Sequence, residues 1–490
     1  MKKRLMALPL AFCLCFTLVL VKTGTVSVNS EYAETAAAQS VVTEEITEIR
    51  ANIYDCNMNK LVNCEEINQT KQINGKSVTA KSFSRYSENQ TATHIIGYTV
   101  DGKGVCGIEY AFDEFLSENS YKITAKYCKD ASASLTFGEI TAESEGNKYA
   151  GVVTTLDSDI QSICEEAADK SIKKGAVIVM EPESGDIKAM VSRPNFSPFD
   201  IESALSDSKN SPLINRVLCS YNLGSIFKLV TASAALKQGI GEEYEFFCNG
   251  KIEVSGQIFK CHNLDGHGLM DMKSAIVHSC NPYFISLGLQ VDSAKLLWYA
   301  SALSYGRPIT LCRGIASSPG NLQSVGDLTN IAEKANMVFG QGKLLATPLQ
   351  VTSATCAFAN KGRLPKARLI KGITNDAVNV EEESETSFTR ALDEDVADTV
   401  KGFMVAMIED ESNAKAKPTV TTAGAKTATA QTGRYAEDGH EVYNCWITGF
   451  FPCENPRYAV TVLIEGGEGS LRDCGPVFSE IADKIIQLNY

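Results

Sequence analysis

Two strand signals at one point of the chain, and three more some 230 residues later, limit the folds open to it more than any other feature. Residues 176–180 are an unbroken apolar run, Glu181-Pro-Glu-Ser-Gly185 reads as a turn, and residues 187–191 return as a second strand. A mostly helical stretch from Ser211 to about Ala359 follows, then an acidic loop around 381–385 and a helix near 393–408. Three strand-like segments at 420–431, 443–451 and 458–465 precede a last helix near 476–487. A strand pair, helices, three strands and a helix predict an α+β domain whose antiparallel sheet draws on both ends of the domain. Just before the first strand, an amphipathic helix starts at Thr154-Thr-Leu-Asp157. It carries Ile160, Ile163, Cys164, Ala167, Ala168 and Ile172 on one face.

At 490 residues the chain has room for two or three domains, and 44% apolar with 21% charged residues is a globular composition. A net charge of −13 argues against nucleic-acid binding, which needs a concentrated basic face. No Walker-type phosphate loop is present. Lys2-Lys3-Arg4 precedes an uncharged apolar run, Leu5 to Val21, closed by Lys22. The small residues Ala36, Ala37 and Ala38 lie too far beyond it for ordinary signal cleavage. The expectation is an uncleaved single-pass anchor at 1–22 in the cell membrane's lipid bilayer, its basic end in the cytoplasm and the rest outside. Residues 23–45 suit a stalk, and short apolar runs from Ile49 to about Ala150 read as an irregular β-rich module. The domain expectation is therefore anchor 1–22, stalk and module 23–150, and main domain 151–490.

Sixteen cysteines are scattered singly, with none of the two-residue gaps of a zinc or redox motif. Cys248 and Cys261 flank a hairpin signal and are the best disulfide candidates. Cys261, His262 and His267 share a loop and are read as incidental, so neither a metal nor a cofactor is expected.

Ser225-Ile-Phe-Lys228 places a hydroxyl at the start of a helix and an amine one turn later on the same face. The same spacing recurs at Ser171…Lys174, Ser206…Lys209 and Ser412…Lys415, all in polar surroundings. Ser225 alone follows a glycine and opens an apolar, Ala-rich helix ended by Gly239. A lysine buried there loses basicity and becomes able to take a proton from the serine. Ser279-Cys-Asn281 offers a hydroxyl and an amide before Pro282, between two apolar segments. Lys426-Thr-Ala-Thr429 puts a cation and two hydroxyls on a strand, able to grip a carboxylate and to line an extended peptide. Lys22-Thr-Gly-Thr25 is a closer string match but sits beside the anchor and is read as coincidence.

In this order the three motifs resemble those of penicillin-binding proteins and serine β-lactamases. The stretch Gly175–Pro194, Phe339-Gly-Gln-Gly342 with Ala346-Thr-Pro-Leu-Gln350, and Trp446-Ile-Thr-Gly-Phe-Phe-Pro452 are similar to further segments of these enzymes. Arg50-Ala-Asn-Ile-Tyr-Asp55 and Gly107-Ile-Glu109 resemble the linker domain of class B members, the monofunctional D,D-transpeptidases. The resemblance implies a five-stranded antiparallel sheet flanked by helices, with an all-helical subdomain. It implies that Ser225 attacks the penultimate D-Ala of a peptidoglycan stem peptide, with Lys228 as base. Ser279 and Asn281 would relay the proton and hold the substrate. Lys426 and Thr427 would tune the site and bind the carboxylate, and Thr429 would lend backbone to the oxyanion hole. Ala428 departs from the family's usual glycine. β-Lactams and a membrane glycosyltransferase are implied as partners. Competing readings are a D,D-carboxypeptidase or β-lactamase, and a penicillin-binding scaffold or sensor.

Overall fold

A computed structural model describes residues 2–28, 41–73, 75–128, 140–436 and 439–488. The chain divides into two compact units: residues 1–51, 63–85 and 119–148 form the first, and 52–62, 86–118 and 149–490 the second.

In the first unit, helix α1 (Lys2–Val28) includes the stretch Pro9–Val28, with a mean hydropathy of 1.9 and none of it buried. Twenty residues at about 1.5 Å each reach about 30 Å, enough to cross a bilayer core. The decoy Lys22–Thr25 lies within this helix rather than on a strand. The expected stalk is structured at both ends: α1 continues to Val28 and β1 (Val41–Ile49) begins at Val41, while 29–40 lie outside the described residues. Strands β2 (Glu65–Ile73) and β3 (Lys76–Ser84) form a hairpin. Strands β4 (Tyr121–Cys128) and β5 (Thr141–Glu145) complete a sheet in the order β1-β4-β5. Ile49, Ala80, Tyr121 and Ile123 make one small apolar cluster between these strands.

The second unit carries the main sheet. Helix α2 (Ser158–Ser171) starts where the Asp157 carboxylate accepts the backbone N–H groups of Asp159 and Ile160, both at 3.1 Å. Strands β6 (Gly175–Met180) and β7 (Ile187–Arg193) are the expected hairpin. The helical stretch contains α3 (Lys228–Lys237), but it is interrupted by short strands, four of them between 246 and 270. These are β8 (Phe246–Cys248), β9 (Lys251–Val254), β10 (Gln257–Lys260) and β11 (Gly268–Met270), with β8 paired to β11 and β9 to β10. Helices α4 (Met272–Val277), α5 (Asn281–Gln290), α6 (Pro348–Ala359) and α7 (Glu394–Glu409) follow. Strands β12 (Gly424–Tyr435), β13 (Glu441–Phe451) and β14 (Tyr458–Gly467) and helix α8 (Gly475–Gln487) end the unit.

The five long strands run antiparallel in the order β7-β6-β14-β13-β12. Strand β6 pairs with β14, Val177 opposite Val462, so the two ends of the unit close one sheet as the strand pattern predicts. Side chains alternate across it. Val177, Val179, Val460 and Val462 face α2 and α8 in one core with Ile160, Cys164, Ala167, Phe478 and Ile481. On the other side α6 is buried along its whole length, and Thr352 and Thr355 hydrogen-bond Thr461 and Thr448 at 2.7 Å.

Gln350 explains the Ala346–Gln350 segment. It forms a capping box with Thr347, and its side-chain amide donates to the carbonyls of Ser304, Arg307 and Pro319 at 3.1, 2.7 and 2.9 Å. Each acceptor it abandons in the interior costs roughly 1–3 kcal/mol. Gln350→Ala is expected to destabilise the second unit by about 3 kcal/mol or more, read as a lower thermal midpoint; an unchanged midpoint would remove this residue from the scaffold.

Candidate active site

Ser225 sits in a single 3-10 turn, Gly224–Phe227, that runs directly into α3. Three contacts fix this turn. The backbone N–H of Gly224 donates to the Gly340 carbonyl at 2.9 Å, and the Trp446 indole donates to the Asn222 carbonyl at 3.0 Å. Tyr221 and Asn222 also pair with Ala346 and Leu345. Gly340 has φ +90°, and a Cβ there would lie 1.8 Å from the Gly224 carbonyl oxygen. The Phe339–Gly342 segment thus acts as a backbone floor for the serine turn, a task only glycine permits.

One turn on, Lys228 is fully buried. Its ammonium donates to the Ser279 carbonyl at 2.6 Å, to the Asn281 amide oxygen at 2.8 Å and to the Ser279 hydroxyl at 3.2 Å. Among the described residues none hydrogen-bonds the Ser225 hydroxyl, which lines the adjoining cleft. Burial pulls Lys228 down to about 7.

Ser279 and Asn281 lie between α4 and α5. Ser279 has φ +52°, unusual for a residue with a side chain, and points its hydroxyl at the two lysines. The helix cap is Cys280 rather than Asn281. Asn281 is therefore free to accept from Lys228, while its amide donates to the Lys260 carbonyl at 3.3 Å.

Lys426, on edge strand β12, is also fully buried and donates to the Ser279 hydroxyl at 3.2 Å and to the Thr427 carbonyl at 2.9 Å. Burial, then repulsion from Lys228, holds it well below the usual lysine range. Two amines on one hydroxyl oxygen cannot both stay charged at low cost, so Ser279 can pass a proton between them. The structure thus gathers Ser225, Lys228, Ser279, Asn281 and Lys426 around one point. A cleft of about 870 Å³ opens there, lined by Ser225, Ser279, Asn281, Thr427, Ala428 and Thr429. Thr429 hydrogen-bonds Ser470, its oxygen 3.1 Å from the Ser470 N–H.

The cleft also holds residues that carried no sequence signal. His278 caps the end of α4 immediately before Ser279, Ser470 and Arg472 lie in a short helical turn after β14, and Ser412 and Lys415, set aside as a spacing coincidence, line the cleft from an exposed 3-10 turn. The Ser412 hydroxyl is taken by the Asp410 carboxylate. The candidate pair Cys248 and Cys261 is not joined by a disulfide: both thiols are free and turn towards His267.

Residues 175–487 match the penicillin binding protein transpeptidase domain family. The chain belongs to that family. It is 28% identical over 430 residues to Stage V sporulation protein D of Bacillus subtilis, covering 85% of this chain and 65% of that protein. It is 26% identical over 412 residues to the peptidoglycan D,D-transpeptidase PbpA of Mycolicibacterium smegmatis, covering 80% of each. In shape it is similar to the D,D-transpeptidase domain of a peptidoglycan glycosyltransferase from Eggerthella lenta. The TM-score is 0.72 at 22% identity, covering 91% of this chain and 99% of that one. It is also similar to penicillin-binding protein A from M. tuberculosis, solved as a ceftriaxone acyl-enzyme, with TM-score 0.71 at 20% identity, covering 89% and 98%. The α+β architecture and the resemblance to class B members, both drawn from the sequence, hold.

In this penicillin-binding protein a lysine that must be neutral to accept a proton gains that ability as pH rises through about 7. Acylation by a labelled penicillin is expected to fall about tenfold per pH unit below about 6 and to level off above about 8. A flat rate across this window would show that Lys228 is not the base. Gly340→Ala should push the serine turn from its floor and slow acylation at least roughly tenfold, since a misplacement of about 1 Å can cost about a hundredfold. An unchanged rate would sink that role for Gly340.

Proposed function

We propose that this chain is a membrane-anchored peptidoglycan D,D-transpeptidase acting through a covalent acyl-enzyme on Ser225. The observation that carries the reading is the Lys228 amine. It is buried, depressed to about 7, and held 2.8 Å from Asn281 and 3.2 Å from Ser279 beside the Ser225 cleft.

Ser225 Oγ attacks the carbonyl carbon of the penultimate D-Ala as Lys228 takes its proton. The tetrahedral oxyanion is held by the N–H of Ser225, which has no helical acceptor at the start of its turn, and by that of Thr429. Losing one such donor costs roughly 2.7–4 kcal/mol of transition-state stabilisation. Ser279, between the two lysines, passes the proton to the departing amine, the C–N bond breaks and D-Ala leaves. Asn281 holds the substrate amide. Lys426, Thr427 and Thr429 bind the terminal carboxylate, and the open edge of β12 takes the peptide as an added strand. A second stem's amine then attacks the ester and frees Ser225, leaving a cross-link. In a β-lactam the broken C–N bond lies in a ring, so the leaving amine stays tethered and the ester persists.

On the same reading, residues 1–22 anchor the chain with the catalytic unit outside the cell, 23–150 form a stalk and linker module, and 151–490 carry the chemistry. A membrane glycosyltransferase supplying glycan strands is the partner such an anchored enzyme calls for. Incubation with a labelled penicillin and peptide mapping should place the adduct on the segment 221–228, and Ser225→Ala should abolish it. With stem-peptide substrates the product should be a cross-linked dimer. Shortened monomers alone would indicate a carboxypeptidase, and a Ser225→Ala protein that still cross-links would overturn the proposal.

A further inference from the structure

Directly behind the second motif lies a cluster that the mechanism does not use. Cys248 ends β8, Cys261 follows β10, His267 precedes β11, and Cys280 stands between Ser279 and Asn281. No two of their four donor atoms are more than 4.8 Å apart. The three cysteines are almost completely buried, at 1%, 2% and 0% exposure. Twelve residues separate Cys248 from Cys261, five separate Cys261 from His267, and twelve separate His267 from Cys280. A search for paired-cysteine motifs passes over that spacing.

The distances are informative. The His267 Nδ1 lies 3.5 Å from the Cys261 sulfur and 3.8 Å from the Cys248 sulfur. In a tetrahedral zinc site with Zn–S near 2.3 Å and Zn–N near 2.0–2.1 Å, sulfur and nitrogen are about 3.5 Å apart and two sulfurs about 3.8 Å. As a protein-only arrangement the cluster is poor, because one ring nitrogen cannot engage two thiols well and thiols are weak partners. The backbone around it folds tightly. Gly250 and Gly266 have φ +89° and +85°, and a Cβ on them would lie 2.0 Å from the Leu264 carbonyl oxygen and 2.2 Å from that of Cys248.

We propose that Cys248, Cys261, His267 and Cys280 hold one divalent zinc ion that fixes the second active-site motif in place. Three thiolates and one imidazole form a closed, soft donor set suited to zinc in a structural role. Binding releases the three thiol protons, giving a centre of net charge −1. Because Cys280 is a ligand, the ion clamps the turn that keeps Ser279 in its left-handed conformation and aims Asn281 at Lys228. His267 borders the cleft, but four protein donors fill a tetrahedral zinc and leave no open position for substrate, so these four are positioning residues. His262, whose Nδ1 is 3.9 Å from the Cys261 sulfur, stands outside the four-donor set.

The test uses the full chain, purified in detergent under reducing conditions. Elemental analysis should find about one zinc per chain. Metal-free protein refilled with cobalt(II) should show thiolate charge-transfer bands and the intense tetrahedral d–d absorption of an ion held by three sulfurs and one nitrogen. Cys261→Ser and His267→Ala should lose the metal, and His262→Ala should keep it. Removing zinc should slow penicillin acylation of Ser225 roughly tenfold or more, and adding zinc back should restore it. The wild-type cobalt spectrum stands even where a variant fails to fold. The proposal fails if reduced protein takes up neither ion, or if metal-free protein acylates at the full rate. It fails equally if the isolated chain carries a disulfide among these cysteines and binds no zinc after reduction. Zinc without a Ser225 adduct would refute the transpeptidase reading alone, and an adduct on a chain that takes up no zinc would refute only this one.

Discussion

The site depends on keeping one amine out of water. A lysine removed from solvent either neutralises or finds enough acceptors to stay charged, and Lys228 stands between the two conditions. The Ser279 carbonyl and hydroxyl and the Asn281 amide oxygen supply acceptors; burial draws the proton away. Either influence alone would give a fixed ion or an inert amine. Together they place the group where it can take a proton and return it within one turnover. The second motif is therefore part of the electrostatics around Lys228 and, on the proposed mechanism, a surface for substrate as well.

That balance needs three distant pieces of chain at one point, and the sheet brings them there. Strand β6 pairs with β14 and β14 with β13, so closing the sheet carries β12 to the edge beside the serine turn. The turn in turn rests on Gly340 and on the indole of Trp446, which projects from β13. Sheet register and catalytic geometry are thus coupled: slipping β13 by one residue would move Trp446 to the other face and take away the support of Asn222.

The strands, the flanking helices and the three motifs were legible in the sequence because each has a strong local signature. Residues 176–180 are an unbroken apolar run followed by a turn and a returning strand, the 225–236 run is mostly apolar, and Ile160 to Ile172 repeat at helical spacing. Of the four short strands between 246 and 270, the pair β9 and β10 matches the hairpin signal between Cys248 and Cys261, whereas β8 and β11, of three residues each, carry too little periodicity to read. His278 adjoins the second motif but belongs to none of the recognised strings, and Ser470 and Arg472 reach the cleft only because the fold brings the turn after β14 beside β12. Two cysteines flanking a hairpin are candidates for a bridge on sequence alone, and only the fold shows that Cys280, well beyond them in sequence, lies beside them.

Ala428 shows how a local departure from a motif is absorbed. On β12, Lys426, Ala428 and Ala430 share the face that meets the serine turn, while Thr427 and Thr429 alternate to the other side. Ala428 is 2% exposed. A Cβ built on Gly224 would lie 3.2 Å from it and 3.0 Å from that of Ala430. The room for the extra methyl therefore comes from the missing side chain at 224, a position whose φ of +67° favours glycine in any case. The added carbon fills space on the wall that meets the serine turn, on the face opposite Thr427 and Thr429.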